Sequence, residues 1–385
     1  MVLPASDTIL LRLTHPTPDE LSVIWKETAS EWRAALSMSK FLELSQYLET
    51  VPLARNQGIT HWILVDARLE ANQRQILSSC ETYRKRALAS TKDGEVKDVI
   101  VHTVASVFCI PQYRGRGYAQ RMMQELSREL RNWQLDGLQC VGSMLYSDIG
   151  TNYYAKLGWR PHTLNSHVEL RSLSVSRSPL VQDVLAEDIP ALCSKDEEQL
   201  RNAMAKRIGE EQERVMIVPD IDHMSWHFAN EDFVCKFLFG EVPKHKGAVA
   251  GTKGSRIWIT WTRRYYDHPD EPNAKNLLCI LRLVFEGNSG ADTDVSVEEG
   301  KYSEQTQSLQ AVLQAAQQEA HAWKLNEIQL WDPTPLVRKM LAQSDLDFKI
   351  VERQHKSIAS ALWYHEDDEV GSTPLWLNNE YYAWC

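Results

Sequence analysis

The chain has 385 residues, of which 43% are hydrophobic and 24% are charged, values typical of a globular protein with one or two full-sized cores. Its 42 basic and 52 acidic residues give a net charge of −10, which argues against nucleic acid as a partner because phosphate binding needs a basic surface. The charge is compatible with a cationic substrate, and it is equally compatible with a role in solubility alone.

The cysteines and the apolar runs indicate the compartment. The seven cysteines are an odd number and form no Cys-x-x-Cys pair, so reduced thiols in a cytoplasmic protein are the simplest interpretation. The first residues show no basic stretch followed by an apolar one, and no run approaches the roughly 18 apolar residues of a membrane span. We therefore expect no signal peptide and no membrane contact.

The first half of the chain has the pattern of an α/β fold. We predict strands at 8–13, 61–65, 99–110, 138–145 and 159–170, and helices at 19–36, 37–49, 117–133 and 149–157. Residues 74–86 are compatible with either a strand or a helix. The run 99–110 is almost wholly apolar and β-branched, which is typical of a central strand buried on both faces.

A polar segment at 172–178 predicts a linker and divides the chain into domains 1–175 and 176–385. In the second domain we predict strands at 256–264 and 277–285, an exposed loop at 286–302, a helix at 304–324, a strand at 328–331, a helix at 335–343 and a strand region at 348–364. This order matches that of residues 74–170, so we expect two structurally similar halves.

The segment with the clearest chemistry is the turn from Arg114 to Ala119, with the sequence Arg-Gly-Arg-Gly-Tyr-Ala. It follows the buried strand and opens a helix, which places free backbone N–H groups at the positive end of the helix dipole. Gly115 and Gly117 permit close approach of an anion such as a pyrophosphate. The turn lacks the Gly-Lys-Ser/Thr of a Walker loop and the G-x-G-x-x-G spacing of a dinucleotide site. An ordinary glycine turn before a helix is the alternative.

This segment resembles the signature Gln/Arg-x-x-Gly-x-Gly/Ala of the GNAT superfamily of N-acetyltransferases. The resemblance implies a GNAT fold with a mixed, splayed central sheet, followed here by a degenerate GNAT-like α/β domain. It also implies acetyl-CoA as cosubstrate, with its pyrophosphate on the loop and its pantetheine arm beside the strand end. The cofactor-binding residues would be Phe108, Cys109, Ile110, Arg114, Gly115, Arg116, Gly117, Tyr118 and Ala119. The next strand, at 141–145, would splay away and leave a wedge for the thioester.

A second motif, Tyr153-Tyr-Ala-Lys-Leu-Gly-Trp159, resembles the Tyr-x-x-Leu-Gly-Phe of the same superfamily. By position Tyr154 would protonate the leaving thiolate, which suits a phenol whose pKa is about 10; a packing role is the alternative. Many members carry Asn seven residues earlier, where this chain departs from the pattern and has Ser147, the residue at the position of that coenzyme contact. The whole chain also resembles a fungal family of lysine N-acetyltransferases, in its length, its opening Leu-Thr-His-Pro-Thr-Pro-Asp-Glu and its aromatic tail.

An acetyltransferase of this kind needs a base for the proton of the acceptor amine. His102 on the central strand and Glu81 on the preceding segment are candidates, with a packed core histidine and a solvated carboxylate as the alternatives. A third candidate comes from the aromatic tail, whose Cys385 carboxylate, or Glu380, would complete the active site. Cys109 has no activating neighbour in the sequence, so we expect an inert thiol.

His223 and His227 have the i, i+4 spacing of a metal-binding helix but lack a third ligand and the glutamate of a zincin. We therefore expect packing there and no metal. The second half has no Arg-Gly-x-Gly turn, so we expect one coenzyme site per chain. The function expected is direct attack of a small-molecule primary amine, foremost the side chain of lysine, in a ternary complex with acetyl-CoA. Another amine, or a non-catalytic coenzyme-binding protein, are the alternatives.

Overall fold

The computed structural model describes residues 3–206, 212–287, 299–364 and 373–384, which form two mixed sheets with helices packed against them. Elements are numbered in chain order. The strands of the first sheet are β1 (Leu11–Thr14), β2 (Ile59–Asp66), β3 (Ser78–Ser90), β4 (Val96–Phe108), β5 (Cys140–Ser147), β6 (Arg160–Pro161), β9 (Arg214–Ile217), β15 (Ile358–Trp363) and β16 (Leu375–Trp376). Those of the second sheet are β7 (Ser166–Arg171), β8 (Val181–Leu185), β10 (His245–Ala250), β11 (Ile257–Arg264), β12 (Leu277–Phe285), β13 (Glu327–Trp331) and β14 (Phe348–Glu352).

The helices connect and cover these strands. They are α1 (Pro18–Trp32), α2 (Met38–Leu48), α3 (Tyr118–Leu130), α4 (Asn152–Ala155), α5 (Ile189–Met204), α6 (Ile221–Phe239), α7 (Glu299–Ala322) and α8 (Pro335–Ala342). No helix in the described ranges is long and apolar enough to cross a membrane.

The first sheet has the order β1-β2-β3-β4-β5-β15-β6, and β9 pairs with the far end of β3 and with β16. β4 and β5 are parallel and are joined by α3, which lies across one face of the sheet. The buried side of α3 is apolar at helical spacing, with Met122, Met123, Leu126 and Leu130 fully excluded from solvent. This packing fixes the start of α3 directly after the end of β4.

Helix α1 is held in place at its first turn. Thr17 and Glu20 form a capping box that satisfies two backbone N–H groups. Glu20 also accepts hydrogen bonds from Arg74, with 2.8 Å between Oε1 and Nε, and the Arg74 guanidinium lowers the pKa of Glu20 to about 2. The buried pair ties α1 to the segment that precedes β3.

The second sheet has the order β14-β7-β13-β12-β11-β10-β8. Its parallel pair, β12 and β13, is connected through α7, as β4 and β5 are connected through α3. The predicted resemblance between the two halves is therefore confirmed: each contains an antiparallel pair of strands, a helix, and a third strand parallel to the second.

Most predicted elements of both halves are present with bounds that differ by a few residues, and the ambiguous segment 74–86 is part of strand β3. Two predicted strands are wrong as single elements. The region 159–170 contains β6 and β7, and the region 348–364 contains β14 and β15, and each of these pairs is divided between the two sheets. Most of the loop predicted at 286–302 lies outside the described residues, and its last residues, 299–302, belong to α7.

The two sheets exchange strands. β15 leaves the second half and pairs antiparallel with β5, from Ile358 opposite Ser147 to Trp363 opposite Gly142. Conversely, β7 belongs to the first half of the chain but lies between β13 and β14 in the second sheet. The predicted boundary at residue 175 therefore cuts across both sheets, because strand pairing is decided by register between distant segments and not by chain order.

Candidate active site

The first sheet opens where β4 and β5 separate. Their parallel pairing runs as far as Val104 opposite Leu145, although β4 continues to Phe108 and β5 to Ser147. The separation thus begins after Leu145, and not along 141–145 as the sequence suggested. Beyond this point the two strands leave a wedge between them.

A β-bulge in β4 causes the separation. Ser79 of β3 lies opposite Phe108 and Glu81 lies opposite Ala105, so β4 has one extra residue between these pairs. Ser106 sits in this bulge with φ +52°, a left-handed conformation that is uncommon outside glycine. The bulge bends β4 away from β5 and turns its backbone towards the wedge.

The predicted coenzyme loop lies at the carboxyl end of β4. A short 3₁₀ turn at Pro111–Tyr113 leads into Gly115 and Gly117, whose φ angles are +76° and +83°. The first N–H of α3 with an acceptor inside the helix is that of Arg121, which bonds Gly117 O. The preceding N–H groups of the helix face the exposed loop, as an anion site requires.

Two flanking contacts shape this loop. Arg114 Nε donates to Cys109 O at 2.9 Å, and its guanidinium lies 3.3 Å from Glu31 of α1 and 5.7 Å from the Phe108 ring. Arg114 therefore braces the loop against α1, whereas Arg116 is exposed. A Cβ on Gly117 would lie 2.7 Å from Ser6 Oγ, so the chain start packs against this end of α3.

Two further residues predicted at the coenzyme site, Cys109 and Ser147, lie just after β4 and at the end of β5. The Cys109 thiol donates to Leu77 O at 3.3 Å, and burial raises its pKa, in keeping with an inert thiol. Ser147 Oγ donates to Gly150 O at 2.7 Å and accepts from Ile149 N, so this hydroxyl organises the turn after β5.

Tyr154 lies on α4, buried in the same cluster as Tyr118 and Cys80. Its ring packs edge-on against Tyr153, with 5.0 Å between centroids. Burial raises the pKa of Tyr154 well above the usual value of a phenol. The side chain therefore keeps its proton at neutral pH, as a proton donor must before the reaction.

Glu81 is the acidic group at the bulge. Ser106 Oγ donates to its Oε1 at 2.8 Å, and His61 Nδ1 lies 3.8 Å from its Oε2. Burial raises the pKa of Glu81, although the charge of His61 and the Ser106 hydrogen bond act in the opposite direction. A carboxylate whose pKa is raised is a stronger base than an ordinary carboxylate, which suits a proton acceptor beside the wedge.

His61 connects Glu81 to α2. Its Nε2 lies 2.8 Å from Oε1 of Glu49, the residue that follows α2. Burial acts to lower the pKa of His61, but the hydrogen bond to Glu49 and the charges of Glu81 and Glu49 outweigh it and raise that pKa. The three side chains form a chain of titratable groups from the bulge towards the protein surface.

His102 lies on the opposite face of the sheet. Side chains alternate along a strand, and His102 pairs with Arg84, whereas Glu81 pairs with Ala105. His102 is fully buried with Nε2 3.0 Å from Trp133 O, and burial lowers its pKa to about 4. These contacts are those of a packed core histidine. His102 lies on the face of the sheet that α3 covers, whereas Glu81 lies on the opposite face.

The aromatic tail docks on the Glu81 face of the first sheet. The buried Lys85 ammonium donates to Ala383 O at 2.7 Å, and Tyr382 OH donates to Ile217 O at 2.6 Å. Trp384 packs in the cluster of Tyr83 and Trp226. Cys385, the third predicted base, lies outside the described residues.

Glu380 has a different role from the one the sequence suggested. It forms a buried ion pair with Arg282, which also binds Asp196 through two hydrogen bonds of 2.8 and 2.9 Å. Glu380 accepts a further hydrogen bond from Leu283 N at 2.9 Å. It therefore anchors the tail to β12 and is not available to an acceptor amine.

The two histidines of α6 are structural. His223 Nδ1 lies 2.8 Å from Asp220 Oδ1, and His227 Nε2 lies 3.1 Å from Tyr382 O. Both rings are buried and serve packing between α6 and the tail. A different trio in the second sheet, His167, Glu169 and Glu327, has ligand atoms within 4.8 Å of one another, but Glu169 already binds His167 and faces Lys349.

Sequence reasoning missed Ser106, His61 and Glu49 as neighbours of Glu81. No motif marks them, because their proximity depends on the strand register and on a bulge. The run 99–110 has the composition of a regular strand, so nothing in its sequence marks the bulge.

Comparisons with known proteins support the class that this geometry defines. Residues 49–159 match the family model described as acetyltransferase (GNAT) family, and residues 167–385 match the one described as LYC1 GNAT-like C-terminal domain. Among curated proteins, a lysine acetyltransferase of Yarrowia lipolytica is 25% identical over 307 residues, which cover 69% of this chain and 74% of that protein. The uncharacterized protein YGR111W of Saccharomyces cerevisiae is 21% identical over 374 residues, covering 87% and 84%.

Solved structures share the fold at low sequence identity. A GCN5-related N-acetyltransferase from Anabaena variabilis is 12% identical with a TM-score of 0.51, covering 91% of this chain and 72% of that one. The Saccharomyces cerevisiae N-myristoyltransferase with bound myristoyl-CoA is 7% identical with a TM-score of 0.53, covering 94% and 81%.

Fold, loop and family models together define a GNAT-type N-acetyltransferase that binds an acyl-CoA. More specifically, the chain belongs to the family defined by the LYC1 GNAT-like C-terminal domain, whose model covers more than half of its residues.

The loop geometry makes coenzyme binding testable with a matched pair of glycines. Gly115 and Gly137 have φ angles of +76° and +82°, and a Cβ on either meets nothing within 4 Å, so Gly→Glu imposes similar backbone strain at both. We expect Gly115→Glu to weaken acetyl-CoA binding at least about fivefold, because like charges a few ångströms apart repel by roughly 1–4 kcal/mol. Isothermal titration calorimetry should show wild-type affinity for Gly137→Glu, and equal affinity of the two variants would place the coenzyme elsewhere.

Proposed function

We propose that this protein transfers the acetyl group of acetyl-CoA to the side-chain amine of free lysine, with Glu81 as general base and Tyr154 as general acid. The observation that carries the proposal is the position of Glu81, a largely buried carboxylate at the β4 bulge with a raised pKa. It faces the side of the wedge that the second half covers.

The coenzyme would be held by this chain's own groups. The free N–H groups at the start of α3 bind the pyrophosphate, and Arg116 adds a positive charge beside it. The edges of β4 and β5 beyond Val104 and Leu145 hold the pantetheine arm between them. Acetyl-CoA supplies an activated thioester that an uncharged amine can attack.

The reaction requires three proton transfers, two from the amine nitrogen and one to the departing sulfur. Lysine enters as an ammonium ion, and Glu81 takes one proton from it so that the nitrogen lone pair can attack the thioester carbon. The C–N bond forms, the C–S bond breaks, and Tyr154 delivers its phenolic proton to the departing sulfur. After the C–N bond forms the nitrogen still carries one proton too many, and this proton passes through water to the Tyr154 phenolate, which restores the tyrosine. Glu81 ends protonated and returns its proton to solvent through His61 and Glu49.

The shape of the acceptor side favours a small molecule. Trp226 of α6 and Trp384 of the tail pack against Tyr83 and Ala105, next to Glu81. The second half therefore covers the face on which the amine must bind, and a polypeptide acceptor would have to thread between the halves. The Yarrowia lipolytica relative is named a lysine acetyltransferase, and the net charge of −10 suits a cationic substrate.

An amine screen tests the proposal directly. Purified protein is incubated with acetyl-CoA and single amines, which include lysine, ornithine, polyamines and aromatic amines, and release of free coenzyme A thiol is followed. We expect lysine to give the highest kcat/KM, and mass spectrometry of the product to show one acetyl group on the side-chain nitrogen. Faster turnover of another amine would replace lysine as substrate, and thiol release with none of them would favour a non-catalytic coenzyme-binding protein.

Glu81→Gln tests the general base. Because burial raises the pKa of Glu81 and a base acts only when deprotonated, wild-type kcat at saturating lysine should rise with pH through that pKa. The variant should lack this rise and lose roughly 10²–10⁴-fold in kcat, while acetyl-CoA affinity stays unchanged. Wild-type kcat in Glu81→Gln would remove Glu81 from the mechanism and leave the Cys385 carboxylate as the next candidate, which a chain ending at Trp384 tests.

Two adjacent tyrosines give a controlled test of the general acid. Tyr154→Phe should retain acetyl-CoA affinity and lose roughly 10²–10⁴-fold in kcat, since only the proton donor is removed. Tyr153→Phe, which removes the hydroxyl of the neighbouring ring, should remain close to wild type. Steady-state kinetics that show equal losses in both variants would assign Tyr154 a packing role.

A further inference from the structure

A row of side chains crosses the first sheet on the acceptor face. Glu81 lies opposite Ala105, and the residue after Leu145, the partner of Val104, is Tyr146. Paired residues of neighbouring strands point to the same face, so Glu81, Ala105 and Tyr146 share one face. Tyr146 stands on the far side of the wedge from Glu81, at least roughly 10 Å away, because two strand spacings of about 4.8 Å separate β3 from β5 before the strands diverge.

The second half continues this row with a cation. The Tyr146 ring lies 5.8 Å from the ring of Trp331. The Arg353 guanidinium lies over the Trp331 ring, 3.9 Å from its centroid. Arg353 follows β14, and its backbone N–H bonds Asn165 O at 2.7 Å. The aromatic stack holds the guanidinium at the interface between the two sheets.

The Arg353 guanidinium makes no ion pair and no side-chain hydrogen bond within the described part of the chain. Its Nε, Nη1 and Nη2 are all buried, and none has an acceptor within hydrogen-bond distance among the described residues. Burial lowers the pKa of Arg353 to about 10, while Tyr146, Asp332 and Glu352 act in the opposite direction. The side chain therefore still carries its charge at neutral pH, and an unpaired buried charge is costly unless it serves a ligand.

A second buried hydrogen-bond donor without an acceptor lies near Tyr146. Trp376, whose ring lies 6.4 Å from Tyr146, is buried, and its indole N–H also has no acceptor among the described residues. Guanidinium and indole N–H groups can only donate. A set of buried donors without acceptors calls for an anion with lone pairs in more than one direction, such as a carboxylate.

We propose that Arg353 binds the carboxylate of an amino-acid acceptor, while Glu81, on the other side of the wedge, receives its side-chain amine. The proposal rests on the proposed function and adds the residue that would distinguish lysine from amines without a carboxylate. The two ends of the site have opposite charge, as the two ends of a lysine molecule do. The aromatic rings of Tyr146 and Trp331 lie on the Arg353 side of the site and suit its aliphatic chain. Since the guanidinium nitrogens are buried, the carboxylate must take the place of side-chain atoms that now cover them.

The experiment compares two substrates that differ only in the carboxylate. Lysine and 1,5-diaminopentane are assayed with wild type, Arg353→Gln and a control, Arg171→Gln, in which an exposed arginine at the end of β7 is changed. We expect Arg353→Gln to raise KM for lysine roughly tenfold to hundredfold, because hydrogen bonds to charged groups contribute about 1.5–3 kcal/mol each. Its kcat and KM for 1,5-diaminopentane should match wild type, which shows that fold and coenzyme site are intact.

Each of the remaining outcomes would overturn either the role of Arg353 alone or both proposals. Wild-type KM for lysine in Arg353→Gln would overturn the role of Arg353 and leave the proposed function standing. Equal losses with both amines in that variant would also overturn it, since they indicate a structural role. A wild-type protein that neither acetylates lysine nor binds it by calorimetry in the presence of coenzyme A would overturn both proposals together.

Discussion

The extra residue in β4 at Ser106 is the constraint on which the active site depends. Without it β4 and β5 would remain paired to their ends, and the sheet would have no opening between its two central parallel strands. The same bulge provides the hydroxyl that holds Glu81. One local irregularity therefore creates both the opening between the two strands and the orientation of the group proposed to receive the proton.

The second half contributes to the site through ion pairs as well as through its aromatic rings. Asp196, Arg282 and Glu380 form a buried network that fixes the start of the tail on β12, and Lys85 of β3 holds the tail further on. Burial of such charges is costly, but once buried each group needs its partners. The position of Trp384 beside Tyr83 is therefore set by interactions with both sheets.

The sequence predicted those features that a short segment of the chain determines by itself. The loop from Arg114 to Ala119 and the motif around Tyr154 could be identified because each is defined by a turn or helix of a few residues. Arg353 could not, because its place depends on β14 ending in one sheet and β15 beginning in the other. His102 and Glu81 were indistinguishable as candidates until the register showed on which face each side chain lies.

The pairing of β15 with β5 also bears on how the protein folds and how it can be divided. β5 reaches its antiparallel neighbour only through a strand more than 200 residues downstream, so the first sheet is completed late and by a contact of very long range. A fragment that stops at the linker would expose the backbone donors and acceptors along one edge of β5, and such unpaired edges invite aggregation. The chain should therefore unfold as one cooperative unit, and a catalytic half expressed alone would require a substitute strand to remain monomeric.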